Sequence, residues 1–496
     1  MGSISFLLPS DVSVDLAREL PRASVAAGQE AMPYPTRVSV EGDRVVLFRS
    51  IDESGMVMAP WDVDGAGRFM ISTASLMERP DPYHLAIELA RGRVNQLRGQ
   101  AFDWLMSGLV MPAEVSAEIN EATRNLAQAV CQPPCEAAFL KARQALVHSF
   151  QAAHHLVDTY IQQVIELRRQ RTPILETTLG CQLGTEAPSE SAGEKLADAC
   201  HSVSIPFSWS DIEPSEGDFH WEGHDALVDW ALHKGLTIVG GPLVDFSGAG
   251  LPSWVWQRER DLGSLAGYLC EQIEKTMTRY RDRIRTWHLA ASTNIPQAFA
   301  VSDEELLWLT VRLIEAARGV DETLDFVVGI AQPCGEYLTT LEHAHSPWAF
   351  ADMLIRTGVK LAALDLELVM GVHPRGTYCR DRLDLARLLD LYALLGVPLQ
   401  VTMGYPSSDT VDGMADADLN TGAGSWRGGF SPELQADWAD TFVRLAVSKP
   451  YVRAVQWIHW SDAEPHLFPH CGLLDAKGKV KPALGRLRTI RDEFLR

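Results

Sequence analysis

The sequence contains no long apolar run and few basic residues for its size. None of its hydrophobic segments approaches the roughly 20 residues that a membrane-spanning helix requires. Its 44 Lys and Arg are outnumbered by 65 Asp and Glu, and the resulting net charge of −21 disfavours nucleic acid and anionic membranes as partners. The N-terminus also lacks the basic stretch and apolar core of a secretory signal, so we expect a cytoplasmic protein.

Cysteine is scarce and scattered. Of the eight cysteines, only Cys131 and Cys135 lie close together in the sequence. A metal or redox pair there is one alternative, and free thiols in a reducing cytoplasm are the simpler one. A second group of metal-ligating residue types crowds one C-terminal loop, where an ordinary polar loop is again the simpler interpretation. Its members are Asp462, Glu464, His466, His470 and Cys471. We therefore predict no metal and no cofactor.

The spacing of apolar residues changes once within the first 171 residues. Residues 1–80 contain short alternating apolar runs separated by glycine turns, which predict a small β-rich domain. Residues 81–171 instead repeat apolar residues at helical spacing and predict a helical segment. Its last helix carries an apolar stripe, which either packs on the rest of the chain or joins two subunits in a homo-oligomer through the 83–170 helices. The stripe contains Phe139, Leu146, Phe150 and Ala153.

Residues 172–496 alternate between strand and helix patterns. Eight short apolar runs are each followed by a helical pattern, which predicts an α/β fold of the (β/α)8 TIM-barrel type. The predicted strands lie near 174–182, 201–207, 236–244, 284–291, 325–331, 361–368, 398–404 and 452–458. In such a barrel the chemistry is carried by the ends of the strands. The long loop 407–429, which is rich in Gly, Asp and Ser, is then a candidate lid.

Three motifs follow one another along this barrel. The segment 207–221 contains a Trp–Glu-Pro–Gly–Phe–Trp pattern. Leu-Pro-Ser-Trp occupies 251–254, ahead of Tyr280 and Trp287, and Gly-Leu-Leu-Asp precedes Lys-Pro within 472–482. Taken in this order, the motifs resemble glycoside hydrolase family 10, the β-xylanase-type barrels. The resemblance covers about 172–490 and implies a retaining glycosidase ancestry for the barrel.

The resemblance breaks at the two residues on which that family's chemistry depends. Retaining enzymes use two carboxyl groups about 5–5.5 Å apart, one as acid/base and one as nucleophile. This chain has Ser292 where the resemblance places the acid/base glutamate after strand four, and Met403 where it places the nucleophile on strand seven. A hydroxyl is not a comparable general acid, and a thioether cannot form a glycosyl ester. We therefore expect ordinary retaining xylanase activity to be absent.

Other carboxylates at predicted strand ends are candidates for relocated catalysis. We favour Glu367 and Asp245 because they would share one rim of the barrel. The alternative is that each carboxylate caps a helix or pairs with an arginine, such as Arg375. Glu336 and Glu464 are weaker candidates of the same kind.

Aromatic and polar residues at the strand ends predict a mouth that binds a carbohydrate ligand. Sugar rings can stack their C–H faces on indole rings, and Trp254 and Trp460 are the favoured platforms. Asn294, Gln332 and Asp462 are the predicted polar contacts. Three functions stay open: a glycan-binding protein without ordinary retaining activity, a glycoside hydrolase with relocated carboxylates, and a structural or assembly protein built on the barrel.

Overall fold

The computed structural model of the chain describes residues 2–28, 30–258, 261–295, 301–341 and 345–495. Its first part is built from eight short strands in two sheets, of order β4-β5-β1-β8 and β3-β2-β6-β7. Alternation explains the strands: in Arg44–Arg49, Val45 and Leu47 are buried while Arg44 is exposed. The strands are β1 Gly2–Leu7, β2 Ser24–Ala27, β3 Met32–Tyr34, β4 Arg37–Glu41, β5 Arg44–Arg49, β6 Gly55–Val63, β7 Gly67–Leu76 and β8 Tyr83–His84.

Helices flank these sheets. The short α1 leads into a 3-10 turn at Leu20–Arg22, and three longer helices follow the sheets. The helix α2 lies against β7 at Gly92, where a Cβ would meet the carbonyl oxygen of Ser72 at 2.1 Å, so the close approach requires glycine. The helices are α1 Val14–Glu19, α2 Leu85–Met106, α3 Ala113–Val130 and α4 Glu136–Arg171.

The apolar stripe of α4 is buried within the chain. Leu146, Phe150 and Ala153 are all less than 10% exposed, and the ring of Phe150 lies 5.1 Å from that of Phe69. The helix packs against α2 and α3 and also reaches the outer helices of the barrel. Among the described residues, no helix is both long and apolar enough to cross a membrane.

The barrel predicted from the alternating pattern is present. Eight parallel strands close into a ring, because the last strand pairs with the first and the third pairs with the fourth. In chain order they are β9 Thr178–Gln182, β10 Ser202–Ile205, β11 Thr237–Gly240, β13 Thr286–Ala291, β14 Asp325–Ile330, β15 Ala363–Val369, β17 Leu399–Gly404 and β20 Val452–Trp457. Short accessory strands are β12 Val244–Asp245, β16 Gly371–His373, β18 Asn420–Ala423, β19 Ser425–Trp426, β21 His459–Ser461 and β22 Gly472–Leu474.

The helices between the strands begin at residues that suit helix N-termini. Ser302 forms a capping box with Glu305, and Ser346 and Ser431 each precede a proline at the first helical position. The helices are α5 Glu190–Ala199, α6 Trp209–Ile212, α7 Glu222–His233, α8 Ser253–Arg258, α9 Leu262–Tyr280, α10 Asp303–Val320, α11 Pro347–Arg356, α12 Arg382–Ala393, α13 Pro432–Ser448 and α14 Pro482–Ile490. A 3-10 turn at Glu336–Thr339 and a final π-helical turn at Arg491–Leu495 complete the chain.

The loop predicted to be a lid is paired at two points. Its β18 pairs with β16, and its β19 pairs with β7, so Ser425 lies opposite Arg68 and extends the N-terminal sheet. Gly67 permits this contact, because a Cβ there would meet the Ser425 carbonyl oxygen at 2.1 Å. The loop therefore joins the N-terminal sheet to the barrel mouth in this structure rather than standing free over the mouth.

A buried ion pair and a cation–π contact connect the helical segment to the barrel. The guanidinium of Arg93 on α2, which is 1% exposed, contacts the carboxylate of Asp381 at the start of α12. The ammonium group of Lys449 after α13 donates to Asp390 at 2.8 Å and lies 4.4 Å from the ring centre of Tyr160 on α4. These contacts fix α2 and α4 to the outer surface of the barrel.

Candidate functional site

Polar side chains fill the upper interior of the barrel. Strand residues alternate between the interior and the surrounding helices, and the interior positions of β15 and β17 hold Asp365, Glu367, Gln400 and Thr402. With His288 from β13 they line a cavity of about 70 Å3 at the centre of the mouth. A cavity of this volume holds a few water molecules but no complete sugar ring.

His288 and Asp365 form the floor of this cavity and were missed by the motif comparison. Thr402 donates its hydroxyl proton to Asp365, with oxygen–oxygen distances of 2.9 and 2.8 Å to the two carboxylate oxygens. Burial raises the pKa of Asp365 and lowers that of His288, because each charged form loses water. The alternation Leu364-Asp-Leu-Glu-Leu368 was the available signal, since it places Asp365 and Glu367 on one face of a strand.

Glu367 lies above Asp365 on the same face of β15. Burial raises the pKa of its carboxyl group to about 7, the neighbouring Arg375 opposes this shift, and the negative charge of Asp245 adds to it. The side chain is partly exposed to the mouth, unlike the fully enclosed Asp365. Near neutral pH Glu367 is therefore a carboxyl group that can both donate and accept a proton.

Arg375 contacts two residues that line the central cavity. Its Nη2 lies 3.3 Å from the hydroxyl oxygen of Ser292 and 3.4 Å from Oδ2 of Asp245, and its side chain is 12% exposed. Asp245 also accepts a hydrogen bond of 2.8 Å from the backbone N–H of Ser247. The structure thus brings the two candidate catalytic carboxylates, Glu367 and Asp245, to one rim of the barrel together with a cation.

The two positions singled out by the resemblance differ in placement. Ser292, in a left-handed conformation with φ of 55°, follows β13 and lines the mouth, as expected. The expectation that Met403 lies in the mouth, at the nucleophile position on strand seven, is wrong. Met403 is fully buried in the main apolar core, while its neighbour Thr402 lines the interior. A strand residue next to an interior position points to the opposite side.

Two larger cavities flank the centre of the mouth. One, of about 610 Å3, lies over β9, β10 and β11 and is lined by Trp209, His224, Asp245, His459 and Trp460 among others. The other, of about 630 Å3, lies between the barrel and the N-terminal sheet. The first cavity shares Asp245 and the second shares Ser292 with the central cavity, so the three together form a cleft across the mouth.

The structure does not place the predicted indole platforms as free surfaces. Trp460 is 2% exposed and belongs to the main core, because β21 pairs with β22 and encloses it. Trp254 is half-buried, packs edge-on against Trp209 at 5.4 Å and donates to the carbonyl oxygen of Glu213 at 3.0 Å. Trp209 and Trp460 both border the 610 Å3 cavity, but they are only 3% and 2% exposed.

The predicted polar contacts are largely used by the protein itself. Asn294 exchanges two 2.9 Å hydrogen bonds with the backbone of Ala331, so its amide anchors the end of β14 instead of facing a ligand. Asp462 is 2% exposed and lies 2.5 Å from the ammonium group of Lys481. Gln332 donates to the carbonyl oxygen of Pro374, but its buried Oε1 has no partner among the described residues.

The remaining carboxylate candidates also have structural partners. Glu464 accepts backbone hydrogen bonds from Thr185 and Glu186 at 2.9 and 3.1 Å, and Glu336 lies 3.7 Å from Arg380. These two glutamates therefore form structural contacts within the protein, as the alternative to a catalytic role predicted.

Within the C-terminal loop, ligand atoms of Asp412, Asp462 and His466 lie within 4.8 Å of one another. Asp462 is already neutralised by Lys481, and Asp412 lies 3.1 Å from Nε2 of His466. Both carboxylates of this group therefore already have partners within the protein.

Comparison with known proteins finds similarity to one family. The sequence model of glycosyl hydrolase family 10 matches residues 204–293, which confirms the resemblance that the motifs indicated. Native xylanase 10B from Thermotoga maritima is 14% identical, with coverage of 66% of this chain and 98% of that one at a TM-score of 0.48. Xylanase 10B from Thermotoga petrophila RKU-1, in complex with xylobiose, is 14% identical. The match covers 66% of this chain and 96% of that one at a TM-score of 0.47. The Thermobacillus composti family 10 xylanase is 17% identical, and the match covers 66% of this chain and 99% of that one at a TM-score of 0.45.

Proposed function

We propose that this chain is a carbohydrate-binding barrel that has lost ordinary retaining hydrolysis. The observation that carries the proposal is the position of Arg375, whose guanidinium is hydrogen-bonded to Ser292 at the strand end where the resemblance places an acid/base glutamate. A proton donor is thus replaced by a hydroxyl with a permanent cation beside it. The cleft around it keeps the shape of a binding site.

The cation opposes the chemistry of glycoside cleavage. The transition state of that reaction resembles an oxocarbenium ion and carries positive charge on the sugar ring. A like charge about 4 Å away costs on the order of 4 kcal/mol at an effective dielectric constant of 20. A guanidinium is a good donor to sugar hydroxyls in the ground state, however, because its N–H groups spread in a planar fork. Arg375 therefore favours binding over cleavage.

The dimensions of the cleft support a saccharide ligand. The two outer cavities, of about 610 and 630 Å3, each have the size of a typical small-molecule site. The central cavity between them presents Glu367 and Asp245, which can accept hydrogen bonds from hydroxyl groups. The proposed ligand is an oligosaccharide that lies across the mouth and contacts both outer cavities.

Titration calorimetry with xylo- and cello-oligosaccharides tests this proposal. We expect micromolar to millimolar binding, weakened at least tenfold by Glu367→Gln. The matched control is Glu315→Gln, because Glu315 is exposed on α10 and pairs with Arg312. Turnover of xylan and aryl xylosides by the purified protein should be absent. Failure of every oligosaccharide to bind, or equal loss in both variants, would contradict the proposal.

A second candidate function is hydrolysis by relocated carboxylates. It is favoured by the pKa of about 7 at Glu367, which suits a general acid, together with Asp245 on the same rim. In this case a purified preparation should cleave an aryl glycoside. Its rate should fall above pH 7 as Glu367 loses its proton, and both Glu367→Gln and Asp245→Asn should abolish it. Retention of activity in either variant would exclude this mechanism.

The cytoplasm is the proposed location. All eight cysteines are free thiols in the structure, and buried Cys181, Cys200 and Cys471 would be trapped in that form by the surrounding core. Fractionation of the native host, with a thiol count on the isolated protein, tests this. Recovery from the extracellular fraction would contradict it.

A homo-oligomer through the 83–170 helices is a further proposal. The α4 stripe is already occupied within the chain, so any such interface must use other residues. Phe102, Met106 and Val110 near the end of α2 are 61%, 71% and 72% exposed and form the candidate surface. Light scattering should then give a dimer mass that Phe102→Ser and Met106→Ser reduce to the monomer, and a monomeric parent protein would refute it.

A further inference from the structure

The cavity between the N-terminal sheet and the barrel mouth is lined by three arginines. Arg22 comes from the turn after α1, and Arg375 and Arg380 come from the segment after β16. Glu336 is the acidic residue among the lining side chains. Burial raises its pKa, so its negative charge is weakened. A chain with a net charge of −21 thus concentrates positive charge in this one cavity.

The arginines of this cavity are loosely paired. Arg22 lies 3.4 Å from Glu19, Arg375 lies 3.4 Å from Asp245, and Arg380 lies 3.7 Å from Glu336. Charge-assisted hydrogen bonds normally measure about 2.7–2.9 Å.

Elsewhere in the chain such bonds are formed: Arg382, for example, donates to Asp158 at 2.6 Å. The Nε group of Arg380 is buried and has no hydrogen-bond partner among the described residues. These guanidinium groups therefore keep donor capacity for a further acceptor.

The same cavity offers an acceptor and apolar surface. The Oε1 atom of Gln332 is buried without a partner, and this side chain is 4% exposed and lines the cavity. An unpartnered buried acceptor is costly unless a donor reaches it, and a ligand hydroxyl is such a donor. Met58, Met70 and Tyr378 supply apolar lining that suits the C–H face of a sugar ring.

We propose that this cavity is a subsite for an anionic sugar unit, built jointly by the N-terminal sheet and the barrel. The anion is a carboxylate of the uronate type, which Arg22, Arg375 and Arg380 bind, while a hydroxyl of the same unit donates to Gln332. This inference rests on the proposed function, because the subsite continues the cleft at Ser292. It assigns the N-terminal sheet a direct part in choosing the ligand.

The test compares each acidic oligosaccharide with its own neutral form. Galacturonate and glucuronate trisaccharides are titrated into the full chain, alongside the same trisaccharides after reduction of each carboxyl group to a hydroxymethyl group. Xylotriose serves as a neutral reference for the mouth. The test variant is Arg22→Gln, which removes one partly exposed cation from the cavity. The control is Arg18→Gln on the preceding helix α1, where the arginine side chain is 75% exposed.

We expect at least one acidic trisaccharide to bind tenfold or more tightly than its reduced form. Arg22→Gln should remove most of that preference and Arg18→Gln should leave it unchanged. Raising the salt concentration should reduce the preference, since the contact is ionic.

The results that overturn the inference are distinguishable from those that overturn the proposed function. The anionic subsite is refuted if acidic and reduced forms bind with equal affinity, or if the preference survives Arg22→Gln. The proposed function still stands in that case if neutral sugar binds in a way that depends on Glu367. Absence of binding by all the sugars, xylotriose included, removes both. A thermal melt of each variant confirms that the fold is kept, and Arg380→Gln provides a second cation deletion.

Discussion

Nη2 of Arg375 lies 3.3 Å from the hydroxyl oxygen of Ser292, at the end of the fourth barrel strand. The same nitrogen lies 3.4 Å from a carboxylate oxygen of Asp245 on the neighbouring strand. One side chain thus joins two strand ends and holds a positive charge beside Glu367. The pKa of Glu367 therefore depends on this guanidinium.

Removing the charge of Arg375 should raise the pKa of Glu367 further. In the intact protein Arg375 is the largest influence that lowers this pKa, against the larger effect of burial. Arg375→Gln should shift it upward from about 7 by roughly 1 unit or more, the usual effect of one nearby opposite charge. Carbon-13 NMR titration, with Glu367→Gln to assign the signal, measures the shift. Arg356→Gln, which removes an exposed arginine, is the control and should produce none.

Glu367 should make stability fall as pH rises from about 4.5 to about 7. Its folded-state pKa is raised from 4.5, so in this range the folded protein holds a proton that the unfolded chain has released. Glu367→Gln removes this linkage and should stabilise the protein by roughly 1–3 kcal/mol more at pH 8 than at pH 5. Urea unfolding of both proteins at the two pH values measures the difference. If the difference in unfolding free energy between the two proteins did not change with pH, the carboxyl group of Glu367 would have an ordinary pKa.

Restoring a glutamate at Met403 should damage the fold without restoring activity. Met403 faces the apolar layer between the barrel and its helices, so Met403→Glu buries an unpaired carboxylate. We expect a loss of roughly 3–5 kcal/mol, or failure to fold. Met403→Leu keeps the volume and should cost less than about 1.5 kcal/mol. A soluble, stable Met403→Glu protein with new hydrolytic activity would refute the placement of this residue.

The contact between Arg93 and Asp381 should be essential for joining α2 to the barrel. Its side chains are 1% and 8% exposed, so Arg93→Met leaves a buried carboxylate without its partner and should cost about 3–5 kcal/mol. The exposed pair of Arg124 and Glu121 on α3 provides the control, and Arg124→Met should cost less than about 1 kcal/mol. The double variant Arg93→Met with Asp381→Asn should recover part of the loss. Equal effects of the two arginine variants would contradict this role.

The proposed boundaries of 1–80, 81–171 and 172–496 can be tested by truncation. The contacts of α2 and α4 with the barrel predict that residues 172–496 alone expose apolar surface and aggregate or melt at lower temperature than the full chain. Light scattering and thermal melts of both proteins measure this. Equal solubility and stability would mean that the barrel is complete without the first 171 residues.

The barrel was predictable from sequence because short, mostly apolar strand patterns alternate with helical patterns along residues 172–496. All eight predicted strands overlap observed ones, and the helical segment predicted over 81–171 contains the helices α2, α3 and α4. The error at Met403 is one of register. Strand seven alternates as Leu-Gln-Val-Thr-Met over 399–403, which places Met403 on the face of Leu399 and Val401, whereas the resemblance to the family placed it in the mouth. A shift of one residue reverses the side of the sheet.

The side-chain roles at the mouth were less predictable. Trp460 is enclosed because β21 and β22 pair over it, and Asn294 is engaged by the backbone of Ala331, just after β14. Both facts depend on contacts between segments distant in sequence. Residue type therefore identified the region of the site but not which side chains remain free for a ligand.

The pairing of β19 with β7 has a consequence for how the chain is made. Arg68 emerges from the ribosome long before Ser425, its partner in the sheet. Until residues 425–426 are synthesised, β7 presents an unpaired edge that can associate with other nascent chains. Such long-range pairing also slows folding, because a large loop must close before the contact forms. Completion of the N-terminal sheet thus waits for the near-complete polypeptide, and expression at lower temperature or with chaperones should raise the yield of native protein.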